Sequence, residues 1–145
     1  MAISPTNNFK NILDKLQNVF ITEFNKMLPV YIGHKNIDKG TQYLRLDPAS
    51  NLLLEYASFL ETRQYNINLF YHSNVNDIEK VNLDNVLRVV ARIEALIHDN
   101  ITMTLADSSK AYDCKIENTE YNTDEESEQY VVTLNYNCKH TGNVA

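Results

Sequence analysis

The sequence is poor in glycine, proline and cysteine, and these shortages exclude several kinds of site. Three glycines occur, Gly33, Gly40 and Gly142, and none is placed to open a helix, so no phosphate-binding loop is predicted. The two cysteines, Cys114 and Cys138, are too few for a disulfide framework and lack the spacing of a metal knuckle. The chain must therefore fold by burying apolar side chains, and its 145 residues are enough to build a core.

Long hydrophobic runs and an excess of positive charge are also missing. No apolar run approaches the roughly 18 residues of a membrane span, and the first residues lack the charged and apolar regions of a signal peptide. We therefore expect a chain that is made and folded in a cytoplasm and has no membrane partner. The formal net charge of -6 and a pI of about 5.1 repel phosphate backbones, so stable wrapping of nucleic acid is not expected.

The residues that are present have the composition of a globular protein. Hydrophobic residues make up 43% and charged residues 22% of the chain, close to the usual values. The chain contains no internal repeat, no low-complexity tract and no linker rich in proline, glycine or serine. We predict one domain that spans residues 1–145.

Two segments have the apolar spacing of amphipathic helices. The first runs from about Asn8 to about Phe24, with Asn7 or Asn8 available as a cap and one apolar stripe that requires a packing partner. The second runs from about Leu83 to about His98, with Asn82 as its predicted cap. Its stripe consists of Val86, Leu87, Val90, Ile93 and Ile97, widened by Val89 and Leu96.

The remaining segments alternate as strands do. The clearest is Arg63 to His72, and a terminal hairpin is predicted from Tyr112–Ile116 and Tyr130–Cys138. Shorter strands are predicted at Val30–Ile32 and Tyr43–Leu46, with Asp47 and Pro48 expected to turn the chain. The run from Leu52 to Leu60 is ambiguous, and Ile101–Leu105 fits either a brief strand or a packed connection. The predicted fold is α+β: an N-terminal helix, an antiparallel or mixed sheet with a central helix packed on it, and a C-terminal β-hairpin.

No residue is predicted to be catalytic, to bind a cofactor or to bind a metal. The four histidines are isolated in sequence, and His72 and His140 are expected at strand ends in contact with water. Cys114 and Cys138 fall in the apolar register of adjacent strands, which favours small core residues over a nucleophile. If the hairpin loop folds about its middle, the two cysteines share a face and can approach each other, although a reducing cytoplasm disfavours a bond. The acidic run Asp124, Glu125, Glu126 and Glu128 lacks the oxygen spacing and central glycine of a calcium loop, which indicates a solvated hairpin tip.

The order of these elements resembles the tail terminator and minor tail proteins of long-tailed bacteriophages. The resemblance covers nearly the whole chain and consists of patterns of elements. They are the opening helix Phe9–Phe20, the strand Arg-Gln-Tyr-Asn-Ile-Asn-Leu-Phe-Tyr at Arg63–Tyr71, the helix Leu83–His98 and the closing strand Tyr-Val-Val-Thr-Leu-Asn-Tyr at Tyr130–Tyr136.

That resemblance implies a structural virion protein of the tail and neck, assembled in the cytoplasm of a bacterial host. Such a protein forms a homo-hexameric ring that caps the tail tube, stops its growth and joins it to the head-side connector or stopper protein. Tail tube protein is therefore an expected partner, with tail sheath protein as a further candidate. DNA would only pass through the lumen, and an acidic lumen would let it slide.

Contacts with such partners are expected where one subunit leaves its backbone unsatisfied. Those places are a sheet edge, the loop Gly33–Gly40 and the acidic tip, which is also placed to meet a basic patch. Arg88 and Arg92 lie off the apolar stripe of the second helix and are candidates to meet acidic groups of a neighbouring copy. The full set of interface candidates is Lys35, Asp38, Lys39, Arg88, Arg92, Asp124, Glu125 and Glu126.

Two other hypotheses compete with the tail terminator. Another neck or head-completion protein, a stopper or an adaptor, can also be small, acidic and ring-forming. A small ligand-binding or enzymatic α+β domain belongs to a different class. Its site would be assembled from residues distant in sequence, such as His34, His72 or Cys114 beside a carboxylate.

Overall fold

A computed structural model of the chain describes residues 6–33, 42–57, 60–74, 79–124 and 129–142. The elements, in chain order, are helix α1 (Asn8–Phe24), a 3-10 turn (Asn25–Met27), strands β1 (Val30–Ile32), β2 (Gln42–Ala57) and β3 (Leu60–Asn74), helix α2 (Glu79–Asp99), and strands β4 (Met103–Thr104), β5 (Lys110–Asp124) and β6 (Gln129–Gly142).

Helix α1 has the predicted limits. The Asn7 side chain caps it by accepting a 3.1 Å hydrogen bond from the Lys10 backbone N–H. The chain leaves the helix at Asn25, whose positive φ of 54° is uncommon for residues other than glycine and is found more often for asparagine than for most of them. The buried side of the helix carries Ile12, Leu13, Leu16, Phe20 and Phe24.

The strands form one mixed six-stranded sheet in the order β1-β2-β3-β6-β5-β4. The short β1 pairs in parallel with β2, and the other neighbours are antiparallel. The central pair, β3 and β6, is continuous from Glu61↔Gly142 to Asn74↔Gln129. The alternation predicted for β3 is confirmed: Tyr65, Ile67, Leu69 and Tyr71 are buried.

Both helices cover the same side of the sheet, so their apolar side chains and those of the strands form a single cluster. Helix α1 lies over β1 and β2, helix α2 lies over β5, and the two helices touch. Each large side chain in this cluster, such as Phe20, Leu69 or Leu134, stabilises the fold by about 1.5–3 kcal/mol through its transfer from water. The predicted α+β class is confirmed.

Two boundaries differ from prediction. Helix α2 begins at Glu79, so Asn82 lies inside the helix and is not its cap. Glu79 and Lys80 are good helix formers, and an acidic residue in the first turn suits the helix dipole, which favours the longer helix. The terminal hairpin is likewise longer than predicted, because β5 and β6 pair as far as Asp124↔Gln129.

The turn predicted at Asp47 and Pro48 is wrong, because β2 runs straight through both residues. Pro48 lacks the N–H that a central strand would need. Strand β1 pairs only with Leu44–Leu46, so Pro48 lies on a free edge among the described residues, and an irregular register follows it. The ambiguous run from Leu52 onwards therefore belongs to a long hairpin of β2 and β3.

A second irregularity interrupts β5. Two residues, Asp113 and Cys114, stand between the pairs Tyr112↔Lys139 and Lys115↔Asn137, where β6 has only Cys138. Asp113 has a φ of 52°, and Cys114 turns its N–H to the carbonyl of Ile101, at 3.0 Å. The simple alternation of Tyr112, Cys114 and Ile116 is thus replaced by a β-bulge, while Met103–Thr104 forms the brief strand β4.

Candidate assembly surfaces

Of the predicted interface residues, Arg88 and Arg92 are described with their side chains, and the two side chains differ in their contacts. Arg88 is exposed on α2. Arg92 is engaged within its own chain, because its Nη2 lies 3.2 Å from Glu23 Oε1 and its guanidinium lies 4.6 Å from the centre of the Phe24 ring. The ion pair of Arg92 with Glu23 links α2 to α1. Because both side chains are exposed, it contributes only about 0–1 kcal/mol to stability.

The other predicted interface residues can be placed only in part. Asp124 ends β5, and its side chain lies outside the described part of the structure, as do Lys35, Asp38, Lys39, Glu125 and Glu126.

Of the two histidines expected at strand ends in contact with water, His140 is shielded from water and His72 remains partly exposed. His140 is buried, and its Nε2 lies 2.9 Å from Ser109 Oγ. Burial lowers the pKa of His140, and the carboxylate of Asp107 opposes that shift. His72 is half-buried and stacks on Tyr43, with ring centres 4.4 Å apart. Both histidines are packing residues of the sheet.

Asp107, Ser109 and His140 are the three residue types of a catalytic triad, but their hydrogen bonds run in the wrong order to activate a nucleophile. In a triad the histidine accepts the serine proton, and the acid holds the other ring nitrogen. Here Ser109 Oγ contacts both groups: Asp107 Oδ1 accepts from it, and His140 Nε2 is left to donate to it. The hydrogen bonds from Ser109 lower the pKa of Asp107, which keeps this carboxylate charged. The hydroxyl proton of Ser109 therefore points towards Asp107 and away from His140. The cluster therefore closes the loop before β5 without activating Ser109.

Cys114 and Cys138 meet across the β-bulge, as their shared face predicted, and both are free thiols buried in the core. The hydrogen bond with Cys114, and then burial, raises the pKa of Cys138, while the same contact lowers the pKa of Cys114. Burial also raises the pKa of Tyr136, whose hydroxyl lies against the two sulfurs. Thiols so enclosed lack the exposure that a nucleophile needs. Across the described residues no three His, Cys, Asp or Glu side chains gather as a metal site would require.

The face of the sheet opposite the helices is polar and nearly neutral. Along its centre, Asn66 pairs with Asn137 and Asn68 pairs with Asn135. Its charges are neutralised locally: Arg45 lies 3.1 Å from Asp47, and Lys139 lies 3.2 Å from Asp113. Arg45 also stacks on Phe70, 4.6 Å from the ring centre. Such a face presents amide and hydroxyl groups and little net charge to anything that passes it.

The most exposed apolar surface lies on the hairpin of β2 and β3, where it extends past the helices. We call the segments Asn51–Ala57 and Leu60–Arg63 the arm. Five large apolar side chains of the arm stand in solvent: Leu52 (57% exposed), Leu53 (44%), Leu54 (44%), Tyr56 (71%) and Leu60 (44%). Single exposed leucines are ordinary, but five large apolar side chains on one hairpin mark an interaction surface. They lie on both of its faces, since Leu52 pairs with Gln64 on the polar face and Leu53 pairs with Arg63 on the helix side. In the sequence, this surface is marked by the run Leu52–Leu54, three apolar residues in a row that do not alternate with polar ones as the residues of a half-buried strand do.

A second apolar surface lies at the opposite end of the sheet. Leu83 and Leu87 are exposed on the flank of α2 that faces β5, where Glu94 of the same stripe reaches Thr119 Oγ1 at 3.5 Å. Tyr121, two residues further along β5, is exposed on the same side of the sheet, and burial and then Glu94 raise its pKa. We call Leu83, Leu87 and Tyr121 the apolar flank.

No family model and no curated protein matches this chain. Solved structures share its fold. A chain in the virion of a native gene transfer agent particle superposes with a TM-score of 0.61 at 9% identity, over 88% of this chain and 84% of that chain. A second solved chain superposes with a TM-score of 0.62 at 15% identity, over 97% of this chain and 99% of that chain.

The fold and its surfaces thus define an α+β protein with two exposed apolar surfaces at opposite ends of one sheet. Its fold is shared, almost from end to end, with a component of a virion particle. Among the described residues no helix is both long enough and apolar enough to cross a membrane.

Proposed function

We propose that this chain is a non-enzymatic structural protein of a phage-like virion, in which it acts as one domain. The observation that carries the proposal is the likeness in fold to a chain of a gene transfer agent virion over 88% of this chain. The arm supports it, because five exposed apolar side chains on one hairpin are typical of a protein that assembles with others.

More specifically, we propose a tail terminator. In that role a ring of copies, six in the family it resembles, caps the tail tube, stops its growth and joins it to the head-side connector or stopper, with tail sheath protein as a further candidate partner. The net charge of -6 suits a lumen through which DNA slides. The neutral polar face of the sheet, with Asn66 and Asn135 near its centre, is equally unsuited to hold a phosphate backbone.

The test uses tail tube protein from the same genome. The purified chain is added to polymerising tubes, tube lengths are measured by electron microscopy, and the mass of the bound chain is measured by light scattering. We expect short tubes capped by a ring. Tubes that grow to full length with no chain at their ends would refute the terminator role, and binding to connector alone would favour a stopper or adaptor of the neck.

A further inference from the structure

The arm and the apolar flank face away from each other on one subunit. The arm lies at the end of the sheet where Glu61 of β3 pairs with Gly142 of β6. The flank lies at the other end, where Tyr121 pairs with Val132, near the start of β6. From this geometry we propose that the arm of one copy docks on the apolar flank of a second copy, in a contact that repeats from copy to copy.

A second copy is the occupant that satisfies both surfaces at once. If two arms paired with each other about a two-fold axis, Leu83, Leu87 and Tyr121 would stay in water. A head-to-tail contact covers the arm of one subunit and the flank of the next, and it closes into a ring when the rotation between copies allows. The inference thus deepens the proposed function. It rests on that function in one respect, namely that the partner is another copy of this chain.

The strand edges agree with this contact. Among the described residues, β1 pairs only with Leu44–Leu46, which leaves the arm with an open edge along β2. In the same part of the chain, β4 pairs with Lys110 and Ala111 and Cys114 bonds to Ile101, so β5 beyond Cys114 has no further strand paired on this edge among the described residues, beside the flank. Open edges recruit further strands, so an arm laid along β5 would gain backbone hydrogen bonds while its side chains meet Leu83 and Leu87.

The charges agree as well. In the arm, Arg63 is neutralised by Glu61 at 2.7 Å, so docking buries no lone arginine there. The remaining carboxylate of the arm is Glu55, and the exposed Arg88 follows Leu87 on α2, at the margin of the flank. A contact between Glu55 and the neighbour's Arg88 is therefore available at the rim, where charges select the partner more than they add affinity.

The experiment measures the mass of the full chain by sedimentation equilibrium, from about 1 μM to about 1 mM. The arm variant is Leu54→Glu with Tyr56→Glu, and the flank variant is Leu83→Glu with Leu87→Glu. All four side chains are exposed, so the fold should survive, which circular dichroism checks. The control is Ile21→Glu, an equally exposed apolar residue one helical turn after Gln17, on the side of α1 that reaches β1.

We expect wild type and the control to associate equally, and each double variant to associate at least about 30-fold more weakly. The deciding sample is a mixture of the two double variants. The arm variant keeps a sound flank and the flank variant keeps a sound arm, so the mixture should form a one-to-one dimer and stop. Association of the arm variant with itself at wild-type strength, or no dimer in the mixture, would overturn the contact.

A wild-type chain that stays monomeric up to about 1 mM would also overturn the inference. That result leaves the terminator role to be decided by the tube-capping assay, which does not depend on how copies meet in free solution. Conversely, a chain that assembles through the arm but never caps tubes would refute the terminator role and keep the contact. Tyr56→Ala, a milder change at the most exposed side chain of the arm, gives a second reading if the double variant fails to fold.

Discussion

At the scale of single residues, the side chains that look chemically active are held in structural roles. His140 shows why this was hard to predict. The alternation of β6 puts His140 on the same face as Tyr136 and Cys138, but its polarity suggested water. Its partner Ser109 comes from a loop more distant in sequence, so no local pattern reveals the hydrogen bond that allows the ring to be buried.

The buried His140 should make stability depend on pH. Burial lowers its pKa in the folded state, so on acidification the unfolded chain takes up this proton first. The contribution of His140 is therefore complete above the unfolded pKa of about 6.5 and is lost as the pH falls towards the folded pKa. Urea unfolding should show a smaller fall in the free energy of unfolding between pH 7.5 and 5.5 in His140→Gln than in wild type.

The control for that series is Asn85→Gln, which changes an exposed side chain of α2 that does not titrate. It should keep the wild-type dependence on pH. If His140→Gln and wild type lose the same free energy of unfolding over this range, His140 does not titrate differently in the folded and unfolded states.

At the scale of elements, predictability follows burial. The limits of α1 and the buried register of β3 could be read from the sequence because a one-sided apolar pattern has a single packed solution. The course of β2 could not be read, since Pro48 is compatible with a strand only where the neighbouring strand is short. The exposed interface candidates remain predictions, because a solvated charge pattern has no unique partner.

Substitutions in the buried half of the β2 and β3 hairpin should accordingly cost more stability than substitutions in its exposed arm. Leu69→Ala removes a fully buried side chain from the centre of the sheet and should lower the free energy of unfolding by about 2–5 kcal/mol. Leu54→Ala, on the exposed arm of the same hairpin, should change it by less than about 0.5 kcal/mol. Urea denaturation of both variants at a concentration that keeps the chain monomeric measures the contrast. Equal losses would show that the arm is packed within the subunit.

At the scale of the whole molecule, charge opposes assembly and apolar surface favours it. Two copies of net charge -6 repel each other, and at about 10 mM salt the screening length of roughly 30 Å spans a whole subunit. A rim pair such as Glu55 with a neighbour's Arg88 offsets only about 0.2–1 kcal/mol of this repulsion. Self-association should therefore strengthen as salt rises from about 10 mM to about 500 mM.

Sedimentation equilibrium across that range of salt tests whether charge repulsion or apolar contact dominates the self-association. Arg88→Ala should retain the same trend, since the repulsion belongs to the whole surface. An association that weakens with salt would mean that ion pairs, and not apolar side chains, hold the copies together.

The pairing of β3 with β6 has a consequence for how the chain folds during synthesis. These two strands form the centre of the sheet, yet helix α2, β4 and β5 separate them along the chain. Folding must therefore close a long loop before its central contacts form, which is slow compared with local pairing. A nascent chain that has not yet released β6 lacks Leu134 and Tyr136 and cannot complete its core. The apolar side chains of β3 that β6 normally helps to bury, such as Ile67 and Leu69, would then stay exposed, so the ribosome-bound chain is the stage at which this protein is most in need of chaperones.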